Sequence, residues 1–161
     1  MTLVLHRIDD RLIHGQVVVG WGQPLDIRFI VLVDDEVADS EWEQELYRMG
    51  VPPEMDVYFL SVDAAITELP RYRADARHGI LLTGDIATMR RLVEAGGITS
   101  INLGGIHHRA GRTQRLRYVF LNDEEETALR DIATRGVGIS AQDVPGARPV
   151  PLDDILAGAA S

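Results

Sequence analysis

Residues 3–21 read Leu3-Val4-Leu5-His6-Arg7-Ile8-Asp9-Asp10-Arg11-Leu12-Ile13-His14-Gly15-Gln16-Val17-Val18-Val19-Gly20-Trp21. The stretch is a short apolar run, a polar turn, and a second run compatible with a helix that Gly22 and Pro24 stop. The same order recurs along the chain. Apolar runs at Ile27 to Val33, Val57 to Leu60, Ile80 to Leu82, Ile101 to Leu103, Tyr118 to Leu121 and Val137 to Ser140 are short, and several are β-branched and apolar on both faces. Such strands belong inside a covered, mostly parallel sheet. Amphipathic stretches separate them. Ser40 with Glu43 forms a capping pattern around a face of Trp42, Leu46 and Met49, and Gly50, Pro52 and Pro53 end that element. Ser61 can cap a helix carrying Val62, Ala65, Ile66 and Leu69. Ile86, Met89 and Val93 mark a third, stopped by Gly96-Gly97, and Asp123 with Glu126, then Leu129, Ile132 and Ala133, a fourth ended by Gly136. The expected fold is α/β: a single doubly wound, mostly parallel sheet of about seven strands flanked by helices, with an antiparallel strand admissible at the edge. Trp21 and Trp42 are expected to anchor their helices in the core, and Glu124-Glu125-Glu126 to be a first-turn charge run complementing the helix dipole.

Composition narrows the chemistry. At 161 residues, 45% hydrophobic and 25% charged, the chain fits one domain over 1–161. No apolar run reaches the roughly 18 residues of a membrane helix, and the first residues lack a secretory pattern, so the cytoplasm is the default address. Cysteine is absent and all 16 basic residues other than histidine are arginine. That excludes a disulfide, a thiol nucleophile, a thiolate metal site, a Schiff base and a lysine-dependent phosphate loop. A net charge of -9 argues against a nucleic-acid partner.

In an open parallel sheet, ligands bind beyond the carboxyl ends of the strands. Four polar segments follow strands here: Asp9 to Gly15, Asp34-Asp35, Thr83-Gly84-Asp85, and Gly104-Gly105-Ile106-His107-His108-Arg109. His14 stands at the start of a helix, where free amides and the dipole favour an anion and disfavour an imidazolium, and Gly15 leaves the backbone approachable. A neutral imidazole is a nucleophile, and Arg11 can neutralise a phosphoryl group bidentately. The pattern reads as a phosphohistidine site; a capping or packed histidine is the alternative. Asp9-Asp10 is read as an arginine partner and loop organiser ahead of a metal site. Gly104-Gly105 is either a backbone cradle for phosphate or a tight turn, and His107-His108 either a metal pair or a solvated loop, the latter favoured.

The segment Arg7-Ile8-Asp9-Asp10-Arg11-Leu12-Ile13-His14-Gly15-Gln16-Val17, with Trp21 following, resembles the signature of enzyme IIB of the mannose-type (mannose/fructose/sorbose) sugar phosphotransferase system. Asp34-Asp35-Glu36-Val37-Ala38, Ser61-Val62-Asp63-Ala64-Ala65, Asn102-Leu103-Gly104-Gly105-Ile106-His107 and Gln142-Asp143-Val144-Pro145 resemble further family blocks in the same order, so the likeness runs over essentially the whole chain. The resemblance implies a mostly parallel α/β sheet and a phosphorylated His14, carrying phosphate on Nδ1. Arg11 and Arg7 would assist the phosphoryl group, Asp9 would organise the loop, and Gly15 and Gln16 would help bind phosphate. Asn102, Gly104, Gly105 and His107 are second-loop contacts on the same reading. It implies no cofactor and no metal beyond the covalent intermediate, a IIA phosphocarrier donating in trans, IIC and IID membrane components delivering the acceptor sugar, peripheral association with that permease, and compatibility with a homodimer. Arg7, Arg11, Arg109 and Arg112 are candidates for a basic docking rim, with pairing to nearby acidic residues the alternative. Two other readings remain: a regulatory phosphohistidine protein without a transport role, and an aspartyl-phosphate receiver-like domain, against which the missing lysine counts.

Overall fold

The computed structural model describes residues 2–158. Five strands that are apolar on at least one face form the heart of a sheet in the order β3-β2-β4-β1-β5. They are β1 (Leu3–Ile8), β2 (Ile27–Val33), β3 (Asp56–Leu60), β4 (His78–Thr83) and β5 (Ser100–Leu103), all parallel. β2 shows why: every residue except Arg28 is buried, so it needs cover on both faces and sits inside the sheet. After β5 the chain forms a hairpin of β6 (Thr113–Leu116) and β7 (Val119–Leu121), then β8 (Gly138–Ala141), parallel to β5, and β9 (Val150–Pro151), antiparallel to β8 at the edge.

The sheet thus has seven strands, mostly parallel, with an antiparallel edge strand, as the sequence pattern indicates, but not all the same seven. The run at Tyr118 to Leu121 lies outside the main sheet, in the β6–β7 hairpin, joined to the β5 loop by a bridge between Ile106 and Val119. Its apolarity reflects Val119 and Leu121 packing into the core from a two-residue turn at Arg117 and Tyr118, not burial between two sheet neighbours. β9 takes the vacated place. It has two residues, and so leaves no readable alternation.

Helices α3 (Val62–Arg73), α4 (Ile86–Glu94), α5 (Asp123–Thr134) and α6 (Leu152–Leu156) cover one face, packing Val62, Leu69, Met89, Leu92, Leu129 and Ile155 onto it. The other face is covered over β2 and β4 by the helix after β1, by α1 (Asp35–Ala38) and by α2 (Glu41–Met49). Side-chain caps start most helices: Ser40, Ser61, Asp85 and Asn122 each accept from the backbone N–H three residues on. The fourth helix begins one residue earlier than Asp123 with Glu126 indicated: Asn122 and Glu125 form the reciprocal box, because an amide at the cap can accept while Glu125 returns a bond to the Asn122 N–H. Glu126 is buried and paired with Arg115 at 2.7 Å, so the charge run is partly internal.

Of the two tryptophans, Trp21 is a core residue and Trp42 is not; Trp42 lies 72% exposed on α2. The helix of residues 16–21 is wound as a π-helix. Its closing bond, Gly22 N–H to Val17 carbonyl at 2.9 Å, brings Gly22 against the Val18 carbonyl so closely that a Cβ there would overlap it, hence the glycine.

His6 on β1 is buried, with Nδ1 donating to the Ser100 carbonyl at 3.2 Å. Burial holds its pKa below 6.5, with the Arg73 charge adding to burial and the Ser100 bond opposing both. The folded protein therefore keeps His6 neutral at a pH where the unfolded chain, with a value of about 6.5, takes up a proton. The stability His6 supports is complete above about pH 6.5 and is lost as the pH falls through that value toward the depressed one. Urea midpoints measured from about pH 7.5 down to 5.5 should decline in the parent protein, and His6→Asn should flatten that slope.

Candidate active site

β1 is the strand at which the winding reverses. The chain leaves it toward β2 on one side, and β5 continues toward β8 on the other, opening a crevice at the carboxyl ends of β1 and β5. Two bonds sew its walls together: Asp10 N–H to the Gly105 carbonyl at 2.9 Å and Gly104 N–H to the Ile8 carbonyl at 2.7 Å. The Asp9 carboxylate sits at its floor, fully buried between two guanidinium groups. Arg7 Nη2 reaches Asp9 Oδ2 at 3.1 Å from below. Arg11 Nε donates to Oδ1 and Arg11 Nη2 to Oδ2, each at 3.1 Å, and the Arg11 backbone N–H adds a bond at 3.2 Å. Burial works to raise the Asp9 pKa, but the Arg11 bonds and the charge of Arg7 outweigh it and hold the carboxyl below the ordinary range. Arg11 is raised by the same pairing.

Arg7 is wholly buried, so it does not reach a bound group or form part of a rim. Its terminal nitrogens are committed to Asp9, to Asn102 Oδ1, and to the carbonyls of Gln142 (2.9 Å) and Asp143 (3.3 Å), with the guanidinium 5.0 Å from the Trp21 ring centroid. The direct phosphate contact expected of Arg7 is thereby replaced by a positioning role: it joins the loops after β1, β5 and β8. Gly104 allows this, since a Cβ would overlap the Arg7 guanidinium and come within 2.7 Å of the Asp9 carboxylate. Its N–H is spent on Ile8, so close approach of side chains, not a phosphate cradle, explains the glycine.

His14 lies above Asp9, at the turn preceding the π-helix, with its side chain 20% exposed. Nδ1 is 2.8 Å from the Leu12 carbonyl. A carbonyl only accepts, so Nδ1 carries the proton and the neutral ring has its lone pair on Nε2, shielded from solvent and 3.9 Å from Asp9 Oδ2. The Leu12 carbonyl points at the ring because Leu12 adopts the left-handed conformation, φ 59°. That backbone is unfavourable for a leucine and is held by burial of the side chain against Gly84, where a Cβ would stand 2.8 Å from Leu12 Cδ2. Gly15, with φ -53°, has open space around it.

Gln16 bridges the exposed side. Its Oε1 accepts from Arg11 Nη2 at 2.6 Å and its Nε2 donates to Asp143 Oδ1 at 3.1 Å, while Arg117 approaches Asp143 Oδ2 at 3.4 Å. Trp21 Nε1 donates to the Asp143 carbonyl at 3.2 Å. Arg117 and Asp143 escaped the sequence reading as site residues, although the strand-end rule applied to β8 points to residues 142–143. The second-loop residues divide. Asn102 holds Arg7, whereas His107 is turned outward onto Asp10, with Nδ1 at 2.5 Å from Oδ1 and its N–H at 2.7 Å from Oδ2. His108 packs edge-on to Phe120 in an exposed loop. Arg112 is paired with Glu125 at 2.7 Å, leaving Arg11 and Arg109 as the exposed members of the expected basic rim.

A strand-end histidine backed by a buried carboxylate and flanked by an arginine is an arrangement able to carry out group transfer on a doubly wound sheet, and comparison with known proteins gives the class of the chain. The family model described as PTS system sorbose subfamily IIB component matches residues 3–161, and the chain belongs to that family. It is 35% identical over 149 residues to the N-acetylgalactosamine-specific phosphotransferase enzyme IIB component 1 of Escherichia coli K12, covering 90% of this chain and 92% of that one. It is 32% identical to the mannose-specific EIIAB component of the same organism, covering 89% of this chain and 45% of that longer protein. Among solved structures, the IIBSor domain of the Klebsiella pneumoniae sorbose permease superposes with a TM-score of 0.88 at 30% identity, covering 98% of each chain. The protein is a IIB component of a sugar phosphotransferase system, a transferase of sugar transport.

Asp9→Ala should unfold more easily than the parent by about 3–5 kcal/mol, because Arg7 is left buried without its counter-charge. Urea denaturation above pH 7 measures it, and Asp9→Asn, which keeps one of the two acceptor oxygens and the side-chain volume, should cost less.

Proposed function

We propose that His14 accepts a phosphoryl group from a phosphohistidine on a IIA partner and passes it to a sugar delivered by IIC and IID membrane components. The observation that supports this most is the His14 ring at a helix start over the Asp9 carboxylate, itself paired with Arg7 and Arg11. Asp9 does not repel the incoming anion as a free carboxylate does, because two guanidinium groups neutralise it, and one of them, Arg11, is exposed enough to turn toward the phosphoryl oxygens.

Two phosphohistidines have similar transfer potential, so the step between carriers needs alignment and charge neutralisation more than driving force. The N–P bond to the donor breaks as the N–P bond to His14 forms, and the donor imidazole retains the electron pair. Attack by Nδ1, the nitrogen implied by the family resemblance, requires the bond to the Leu12 carbonyl to open and the proton to reside on Nε2, which faces Asp9. Asp9 then holds the ring as an acceptor for Nε2–H, and the Nδ1 lone pair is free for in-line attack. Gly15 leaves the approach unobstructed, and Gln16 holds Arg11 beside the ring. Neither a nucleotide nor a metal enters the step at His14. The chain works at the cytoplasmic side of the permease, with the phosphoryl donor arriving in trans.

His14→Ala should abolish phosphoryl acceptance from phosphoenolpyruvate through the general phosphotransferase proteins and IIA, with no change in thermal unfolding. Full labelling of that variant would refute the assignment. Arg11→Lys should slow the transfer by about ten-fold or more, because an ammonium cannot hold Asp9 and Gln16 in the same planar fork; rapid-quench labelling measures it.

A further inference from the structure

The helix α2 contributes no buried residue, yet carries Trp42, Leu46 and Met49, which are 72%, 48% and 80% exposed. At spacings of four and three they form a single stripe. The stripe's outward direction is specified by the helix's other side. Gln44 Nε2 donates to the carbonyls of Val37 and Ala38 at 2.9 and 3.1 Å. Tyr47 packs on Phe59 with ring centroids 6.5 Å apart, and the Arg48 guanidinium lies 5.0 Å over the same ring. Beyond Arg48 the surface continues into a cavity of about 330 Å³ lined by Val51, Pro52, Pro53 and Met55, beside β3 at the open edge of the sheet. Large apolar side chains gathered on a fixed outward face mark an interaction surface.

Charge selects the occupant. Asp34, Asp35, Glu36, Asp39, Glu41, Glu43 and Glu45 lead into and flank the stripe, and no basic residue intervenes before Arg48. Among the described residues no ion pair engages Glu41, Glu43 or Glu45. A second copy of the chain would bring the same acidic flank against itself, and an anionic lipid surface would be repelled in the same way. A partner with an apolar centre and a cationic rim fits. Cytoplasmic loops of membrane proteins have that charge, since they are enriched in arginine and lysine. No described helix is long and apolar enough to cross a membrane, and on the proposed function the sugar arrives through separate membrane components.

We propose that the Trp42-Leu46-Met49 stripe, with its glutamate flank, is the surface by which this chain docks on the cationic cytoplasmic loops of its membrane-embedded sugar translocator. The inference rests on the proposed function and extends it to a place on the molecule. Docking there also orients the chemistry. The α1–α2 segment leaves the carboxyl end of β2, which is in register through β4 with the carboxyl end of β1, so the stripe begins at the sheet edge that carries His14. The translocator then meets the loaded edge while the crevice above His14 stays uncovered by the docking helix.

The test uses the full chain, a Trp42→Ser/Met49→Ser variant, and a Glu41→Gln/Glu43→Gln/Glu45→Gln variant, with inverted vesicles that contain or lack the IIC and IID components. Both variants should accept phosphate from IIA at the parent rate. In vesicle sugar phosphorylation the serine variant should show a KM for the phosphorylated chain raised about ten-fold or more, with kcat within about two-fold, and should no longer sediment with translocator vesicles. Parent binding should weaken as salt rises from about 0.05 to 0.5 M, and the glutamine variant should bind weakly with little salt dependence. An unchanged KM and sedimentation would overturn the proposal. So would equal parent binding to vesicles lacking the translocator, loss of acceptance from IIA, or a shift from dimer to monomer on substitution without membranes. If the parent itself takes no phosphate at His14, the proposed function fails, and vesicle sedimentation still decides the docking surface.

Discussion

A carboxylate that solvent does not reach, clasped between two guanidinium groups, organises this molecule. Asp9 alone would be too costly to bury, and Arg7 beneath it is fully buried as well. Each is tolerable because the other is present and because Asn102 and the carbonyls of Gln142 and Asp143 take further bonds from the terminal nitrogens of Arg7. Those partners come from the ends of β1, β5 and β8. A single charge pair therefore closes the crevice where the winding of the sheet reverses and sets the floor on which His14 rests.

The same pair keeps the acidity of the chain from gathering beneath His14. The -9 net charge is distributed unevenly. Asp9 is neutralised locally, Asp10 is occupied by His107, and Asp143 by Gln16 and Arg117. On α2, Glu41, Glu43 and Glu45 have no ion-pair partner among the described residues. The loop that carries His14 and the outer side of α2 therefore differ: carboxylates of the first are paired, and the glutamates of the second are not.

Much of this was legible in the residues, for identifiable reasons. β2 and β4 are apolar on both faces, a pattern that few environments other than the middle of a parallel sheet accommodate. His14 after a strand and before a helix carried its own chemical meaning, and Arg11 was close enough in the chain to be assigned with it. What sequence left hidden was tertiary. Arg7 and Arg11 look alike as letters, and only the packing of Trp21 and the β8 loop shows that one is buried and the other exposed. Trp42 looks like Trp21 until α2 is seen to face outward. Tyr118 to Leu121 looks like a sheet strand because hydrophobic alternation does not record which sheet a strand joins. β9 was too short to leave a pattern at all.

Leu12 faces two opposing demands. Its backbone lies where a glycine would be more comfortable, while its side chain fills the space over Gly84. Glycine at position 12 would ease the chain and vacate the seat; a larger residue at position 84 would press on the leucine and disturb the carbonyl that meets the imidazole. Neither position can drift alone. The size of one residue thus sets the room left for the other.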